Sequence, residues 1–127
     1  MTSLKTMGEA EAVVAEASSA LGHILRLGIV EALAEREYTY TELATHLGYF
    51  PGLWYHLRTL QQAKLLDIRR LDRRRVVYRL SPTMLRTLAS FLASTATEAE
   101  RTAAGYEEGE PVEGLLEEEK EEAREVS

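Results

Sequence analysis

A mostly α fold carrying one small two-stranded β-hairpin is what this sequence predicts, and three observations predict it. Apolar residues recur at three- and four-residue steps through residues 4–35 and again through 82–99, the period of one helix face. Thr39-Tyr40-Thr41-Glu42 has capping-box spacing, while Gly48 and Pro51 sit where one helix ends and the next begins. Between Leu66 and Leu80 the period changes to two, around the polar turn Asp72-Arg73-Arg74.

The first helix is expected over Leu4–Leu21, with Met7, Ala10, Val14, Ala17 and Leu21 in one narrow stripe. Most of these side chains are small, which lets another helix approach closely. Gly22 breaks the chain there. A second helix, His23–Glu35, has a broad face of Ile24, Leu25, Ile29, Val30 and Leu33, wide enough for the centre of a core. The short helix Tyr40–Leu47 follows, with Leu43, Ala44 and Leu47 inward and Thr39 and Glu42 satisfying each other's backbone amides at its start. Gly48 is expected to end it in a left-handed conformation. Pro51 opens the helix Pro51–Leu65, whose core face is Leu53, Leu57 and Leu60. In the hairpin, Leu66, Ile68, Val76, Tyr78 and Leu80 point one way; Asp67, Arg69, Arg75, Val77 and Arg79 point the other. Ser81-Pro82 begins a last core helix, Pro82–Ala99, with Met84, Leu85, Leu88, Phe91 and Leu92 on its apolar face.

A length of 127 residues with 45% apolar side chains suits one compact domain and a tail. The domain is expected over residues 1–104 and an acidic, flexible tail over 105–127. Within the tail, GYEEGEPVEG reads as a linker and the Glu-rich remainder as disorder or a solvated helix. The net charge of −6 averages two unlike parts: residues 105–127 carry a net of −8, residues 1–104 a net of +2. From His56 to Arg86, nine basic residues stand against Asp67 and Asp72, a net of +7. Local fields govern the binding of a polyanion more than the chain total does. For the tail, the plain reading is a solubilising segment and the sharper one is competition with a polyanion for the basic hairpin.

The absence of cysteine excludes disulfides, thiolate metal sites and a cysteine nucleophile, and fits a reducing compartment. No basic stretch followed by an apolar run marks a signal peptide, and the apolar run near Leu25–Val30 falls far short of the ~20 residues that span a bilayer. A cytoplasmic location without a membrane partner is the expectation. GxSxG, Walker, GxGxxG and HExxH motifs are absent, and His23, His46 and His56 lack ligand spacing. No enzymatic activity, cofactor or metal is expected.

The order helix, helix, short helix, turn, helix, hairpin, helix is that of a winged helix-turn-helix. Tyr40–Leu47 and Pro51–Leu65 are its helix pair and the hairpin is its wing. The second helix of such a pair enters the major groove of DNA. With Leu53, Leu57 and Leu60 buried, Trp54, Tyr55, Arg58 and Gln62 fall on the exposed side. Arginine reads guanine bidentately and glutamine reads adenine. Arg69, Arg70, Arg73, Arg74 and Arg75 sit where phosphates or a minor groove would pass. Trp54 is expected to pack partly, under the wing or against Tyr49 and Phe50, and Tyr55 to be exposed. His56 reads as a half-buried helix residue or as a donor to phosphate. Double-stranded DNA is the expected partner.

Residues 20–80 resemble the ArsR-type winged-helix regulators. The likeness rests on ALGHILRLGIVEAL (20–33), TELATHLG (41–48), WYHLRTLQQAKLL (54–66) and RRRVVYRLS (73–81), about half the chain. Its most specific part is HLRTLQQAKLL followed by a basic hairpin ending in YRL. The resemblance implies a homodimer formed by the first and last helices, which represses transcription until an effector binds. Carried onto this chain, it implies an interface of Met7, Val14, Leu21, Met84, Leu88, Phe91 and Leu92. Metal-sensing members use a cysteine pair at the first helix of the pair, or histidines and carboxylates on the last helix. This chain has no cysteine, and residues 82–97 hold neither histidine nor carboxylate, which speaks against metal sensing. The sequence names no effector. Phe50-Pro51-Gly52 also stands where polar cap residues are common, in a turn one residue shorter than usual.

TELATHLG and LRTLQQAKLL also fit the dimerisation domains of small-molecule O-methyltransferases, winged helices used for protein contact alone. The cluster Arg73-Arg74-Arg75 separates that reading from DNA binding. The third reading is a sequence-neutral architectural DNA binder, which would bind all duplexes alike.

Overall fold

Helix α1, Glu9–Leu21, opens the described part of the chain; the computed structural model describes residues 8–48 and 51–126. Gly8 caps α1, and the Glu11 carboxylate accepts from the Gly8 amide at 3.0 Å. Within the described residues the helix begins at Glu9. Residues 4–7, Met7 among them, lie outside the described residues. Val14, Ala17 and Ala20 are buried, whereas Ala10 is exposed.

Helix α2, Ile24–Glu35, begins where His23 Nδ1 accepts from the Leu25 amide at 3.1 Å. With His23 as cap, Ile24 becomes the first helical residue and turns outward. It is 81% exposed, contrary to its place in the expected core face. Ile29, Ala32 and Leu33 are the buried positions.

Helix α3, Tyr40–Leu47, has the bounds its cap chemistry predicts. Thr39 Oγ1 accepts from the Glu42 amide at 3.2 Å, and Glu42 Oε1 accepts from the Thr39 amide at 2.9 Å. Gly48 follows at φ 75 and ψ 127, positive in φ but extended in ψ rather than in the left-handed helical well.

Helix α4, Leu53–Gln62, is shorter than expected at both ends. Pro51 and Gly52 form a turn, and Gly52 caps the helix in a left-handed conformation, φ 88 and ψ 7. At the other end Lys64 takes φ 65. The Lys64 amide donates to the Gln61 carbonyl and the Leu65 amide to the Leu60 carbonyl, both at 3.0 Å. These paired bonds form a Schellman motif, which stops the helix.

The sheet has three antiparallel strands, not the expected two: β1 (Tyr38–Thr39), β2 (Leu66–Arg70) and β3 (Val76–Leu80), in the order β1-β3-β2. The added strand pairs Tyr38 with Tyr78 and Thr39 with Val77, which makes β3 central. Val77, expected on the outer polar face, is fully buried as a result, flanked by Thr39 on one side and Arg69 on the other. The wing turn is held by Asp72, whose Oδ1 accepts from the Arg74 and Arg75 amides at 2.8 and 2.9 Å.

Helix α5, Pro82–Ala103, runs on past the expected Ala99. Leu88 is buried, and Met84 and Leu85 pack partly against the core. The core itself joins α1 to α5 and the sheet, around Ile29, Leu43, Leu57, Leu60 and Leu65.

Residues 1–95 form one compact unit and residues 96–127 a second. The second holds the end of α5 and helix α6, Leu115–Val126, on which residues 115–125 are exposed. Its Glu-rich stretch is thus the solvated helix rather than the disordered segment. No single helix among the described residues is long and apolar enough to cross a membrane.

Candidate nucleic-acid interface

The spacing of Leu53, His56, Leu57 and Leu60 buries one face of α4 and turns the other outward. Trp54 and Tyr55 are 60% and 59% exposed, and Arg58, Gln61 and Gln62 are exposed beside them. The partial packing expected of Trp54 reduces to lining a cleft; Tyr49 and Phe50, its other expected partners, lie outside the described residues. The Arg58 guanidinium carbon stands 5.5 Å from the Trp54 ring centroid, one helical turn away. A cation–π contact at an exposed site contributes about 0.5–1 kcal/mol, enough to bias the guanidinium toward one orientation.

Between α4 and the wing lies a cleft of about 410 Å³ lined by Trp54, Leu57, Arg58, Gln61, Ile68 and Tyr78. Its polar groups are the Arg58 guanidinium, the Gln61 amide and the Tyr78 phenol. Burial, and after it Tyr40, pushes the Tyr78 phenol above its ordinary pKa, so the hydroxyl stays protonated and able to donate. Sequence reading missed Gln61 and Tyr78. Gln61 was legible as two turns from Trp54, but Tyr78 needed the register that sets it opposite Ile68.

On the wing, Arg69 Nε pairs with Asp67 Oδ2 at 2.7 Å and Arg70 Nη1 donates to the Arg73 carbonyl at 3.3 Å. Arg73, Arg74 and Arg75 are exposed at the turn. An exposed ion pair contributes only about 0–1 kcal/mol, so a phosphate could replace Asp67 at Arg69 with little loss.

His56 faces inward from α4. It is buried, and its Nδ1 accepts from Arg26 Nε at 3.1 Å. The His23 ring lies 4.5 Å away, centroid to centroid. Burial foremost, then His23 and Arg26, holds its pKa below the ordinary histidine value. Of the two expectations, the helix residue is the one observed, more deeply buried than half, and its Nδ1 is an acceptor inside the protein. Among the described residues, no group of three or more His, Cys, Asp or Glu side chains converges as a metal site would.

Solved structures share this fold. A possible transcriptional regulator for arsenical resistance is 32% identical over 71% of this chain and 95% of its own, with a TM-score of 0.53. An ArsR-like transcriptional regulator from Rhodococcus sp. is 26% identical over 76% and 92%, with a TM-score of 0.69. The chain belongs to the ArsR-type winged-helix regulators. HlyU from Vibrio cholerae is similar too, at 26% identity over 70% and 97% with a TM-score of 0.57. No protein-family model and no curated protein matches the chain.

In this ArsR-type chain the residues assigned by resemblance to a dimer interface do not share one environment. Val14 and Leu88 are buried in the chain's own core, and Leu21 and Met84 pack partly against it. Phe91 and Leu92 are 44% and 57% exposed. Val13, not foreseen, is 38% exposed, and a depression of about 200 Å³ lies among Ala10, Glu11, Val14, Thr87 and Phe91.

Proposed function

We propose that this regulator binds double-stranded DNA sequence-specifically as a homodimer and represses transcription. One juxtaposition carries the reading: Trp54, Arg58 and Gln61 on the exposed face of α4 line a cleft with Ile68 and Tyr78 of the wing, the hairpin whose Arg69, Arg70, Arg73, Arg74 and Arg75 are exposed. Helix α4 enters the major groove, and Arg58 and Gln62 approach base edges. Arg69, Arg70, Arg73, Arg74 and Arg75 neutralise phosphates and supply most of the affinity. A second subunit covers Val13, Phe91 and Leu92, exposed apolar groups on α1 and α5. The two recognition helices then address half-sites about one helical turn apart. Residues 1–104 form the DNA-binding and dimerisation domain, and residues 105–127 an acidic appendage.

Selection from a randomised duplex pool tests this reading. The wild-type chain should enrich one two-fold symmetric site. Arg58→Ala should relax one position in each half-site, with a loss of about 1–3 kcal/mol of discrimination there. Equal affinity for every duplex would make the protein an architectural binder instead, and an enriched site without two-fold symmetry would remove the dimer.

A further inference from the structure

One guanidinium ties three parts of the winged domain together. Arg26, on α2, donates through Nε to His56 Nδ1 on α4 at 3.1 Å. Through Nη1 it reaches the Ala20 carbonyl at 3.2 Å and the Ser19 carbonyl at 3.5 Å, at the end of α1. Arginine keeps its charge at all ordinary pH values and has no acceptor. His56 Nδ1 must therefore offer a lone pair, which fixes the neutral ring with its proton on Nε2. Protonating Nδ1 would set two cationic donors against each other at contact distance. The His23 ring packs against that of His56, 4.5 Å away centroid to centroid. From α4 itself the Tyr55 ring stands edge-on at 5.7 Å. His56 lies two positions from both Trp54 and Arg58, so any rotation of α4 that relieves the clash carries the outward-facing residues with it.

We propose that Arg26 and His56 are a positioning pair for α4, and that the protein binds DNA well only while His56 is uncharged and held by Arg26. This rests on the reading of α4 as the DNA-recognition helix. The burial of His56 favours the neutral ring at neutral pH, in the same sense. Ordinary electrostatics predicts the opposite pH dependence. Acidification makes a protein's net charge more positive, which by itself tightens phosphate binding. The sign of the pH profile therefore separates the positioning pair from a general charge effect.

The test is the affinity of the full chain for duplex DNA from about pH 7.5 to about pH 5.5 at fixed ionic strength, with far-UV circular dichroism recorded at each point. Wild-type affinity should fall roughly three- to tenfold over that range while helicity is unchanged. In His56→Asn the amide oxygen takes the place of Nδ1 and does not titrate, so affinity should stay level or rise in acid. A wild-type affinity that rises in acid overturns the positioning pair while leaving DNA binding intact, whether or not the variant folds. A fall that tracks lost helicity is unfolding and overturns it equally. No binding at any pH overturns the DNA reading itself, and this inference with it.

Discussion

The amide of Leu65 donates to the carbonyl of Leu60 at 3.0 Å, and Lys64 stands between them at φ 65. That bond closes α4 and turns the chain into β2. A side chain at positive φ crowds its own backbone, at a cost of about 1–2 kcal/mol, and glycine escapes that cost but loses more entropy on folding. Lys64→Gly should therefore stabilise the protein by about 0.5–1 kcal/mol in urea unfolding. A destabilised variant would mean that the Lys64 side chain makes contacts worth more than its strain.

Leu57 is 2% exposed, packed in the core and present on the wall of the cleft. Leu57→Ala should cost about 2–5 kcal/mol, because the cavity left behind collapses only in part. Tyr55→Ala, on the opposite side of the same helix, should stay within about 0.5 kcal/mol. Equal costs at the two positions would contradict the assignment of inner and outer faces on α4.

The start of α3 depends on one reciprocal pair, Thr39 with Glu42. Thr39→Ala should cost about 1 kcal/mol of stability, measured by urea unfolding. A cost near zero would mean that water replaces the cap without penalty.

Stability should also respond to pH in two separate steps. The folded His56 pKa lies below its unfolded value, so the unfolded chain takes up the proton first as the solution is acidified. The His56 contribution is complete above about pH 6.5 and is lost as pH falls through the folded pKa. The Glu42 pKa is lowered mainly by the Thr39 amide and next by Arg36. Its contribution is complete above about pH 4.5 and is lost as pH falls through its folded pKa. Thermal midpoints should thus decline first with His56 and then with Glu42. His56→Asn should remove the upper step and Glu42→Gln the lower one. A wild-type midpoint that is level through the upper range would contradict the neutral, buried His56.

What the sequence made legible was local. Helix α3 could be read to the residue because Thr39 and Glu42 settle its start within four positions. The two faces of α4 followed from helical spacing alone, which separates Leu53, Leu57 and Leu60 from Trp54, Tyr55, Arg58 and Gln62. Its ends did not. A proline suggested the start, but Gly52 at positive φ sets it, and a lysine rather than a glycine closes the other end. Strand β1 has two residues, too few to show a period, yet it makes β3 central and buries Val77. Ile24 turned outward because a histidine caps α2. The bond from Arg26 to His56 spans 30 positions, and no local pattern encodes a contact of that length.

The most direct measurement is a fluorescence-anisotropy titration of the full chain onto random duplex of about 30 base pairs, at about 50 mM and about 150 mM salt, with wild type and a variant carrying Arg73→Ala, Arg74→Ala and Arg75→Ala. The account predicts binding that weakens steeply with salt. It also predicts a salt slope in the variant that is shallower by up to about 0.9 for each phosphate those arginines neutralise in the wild type. No binding by the wild type at the lower salt concentration would contradict it.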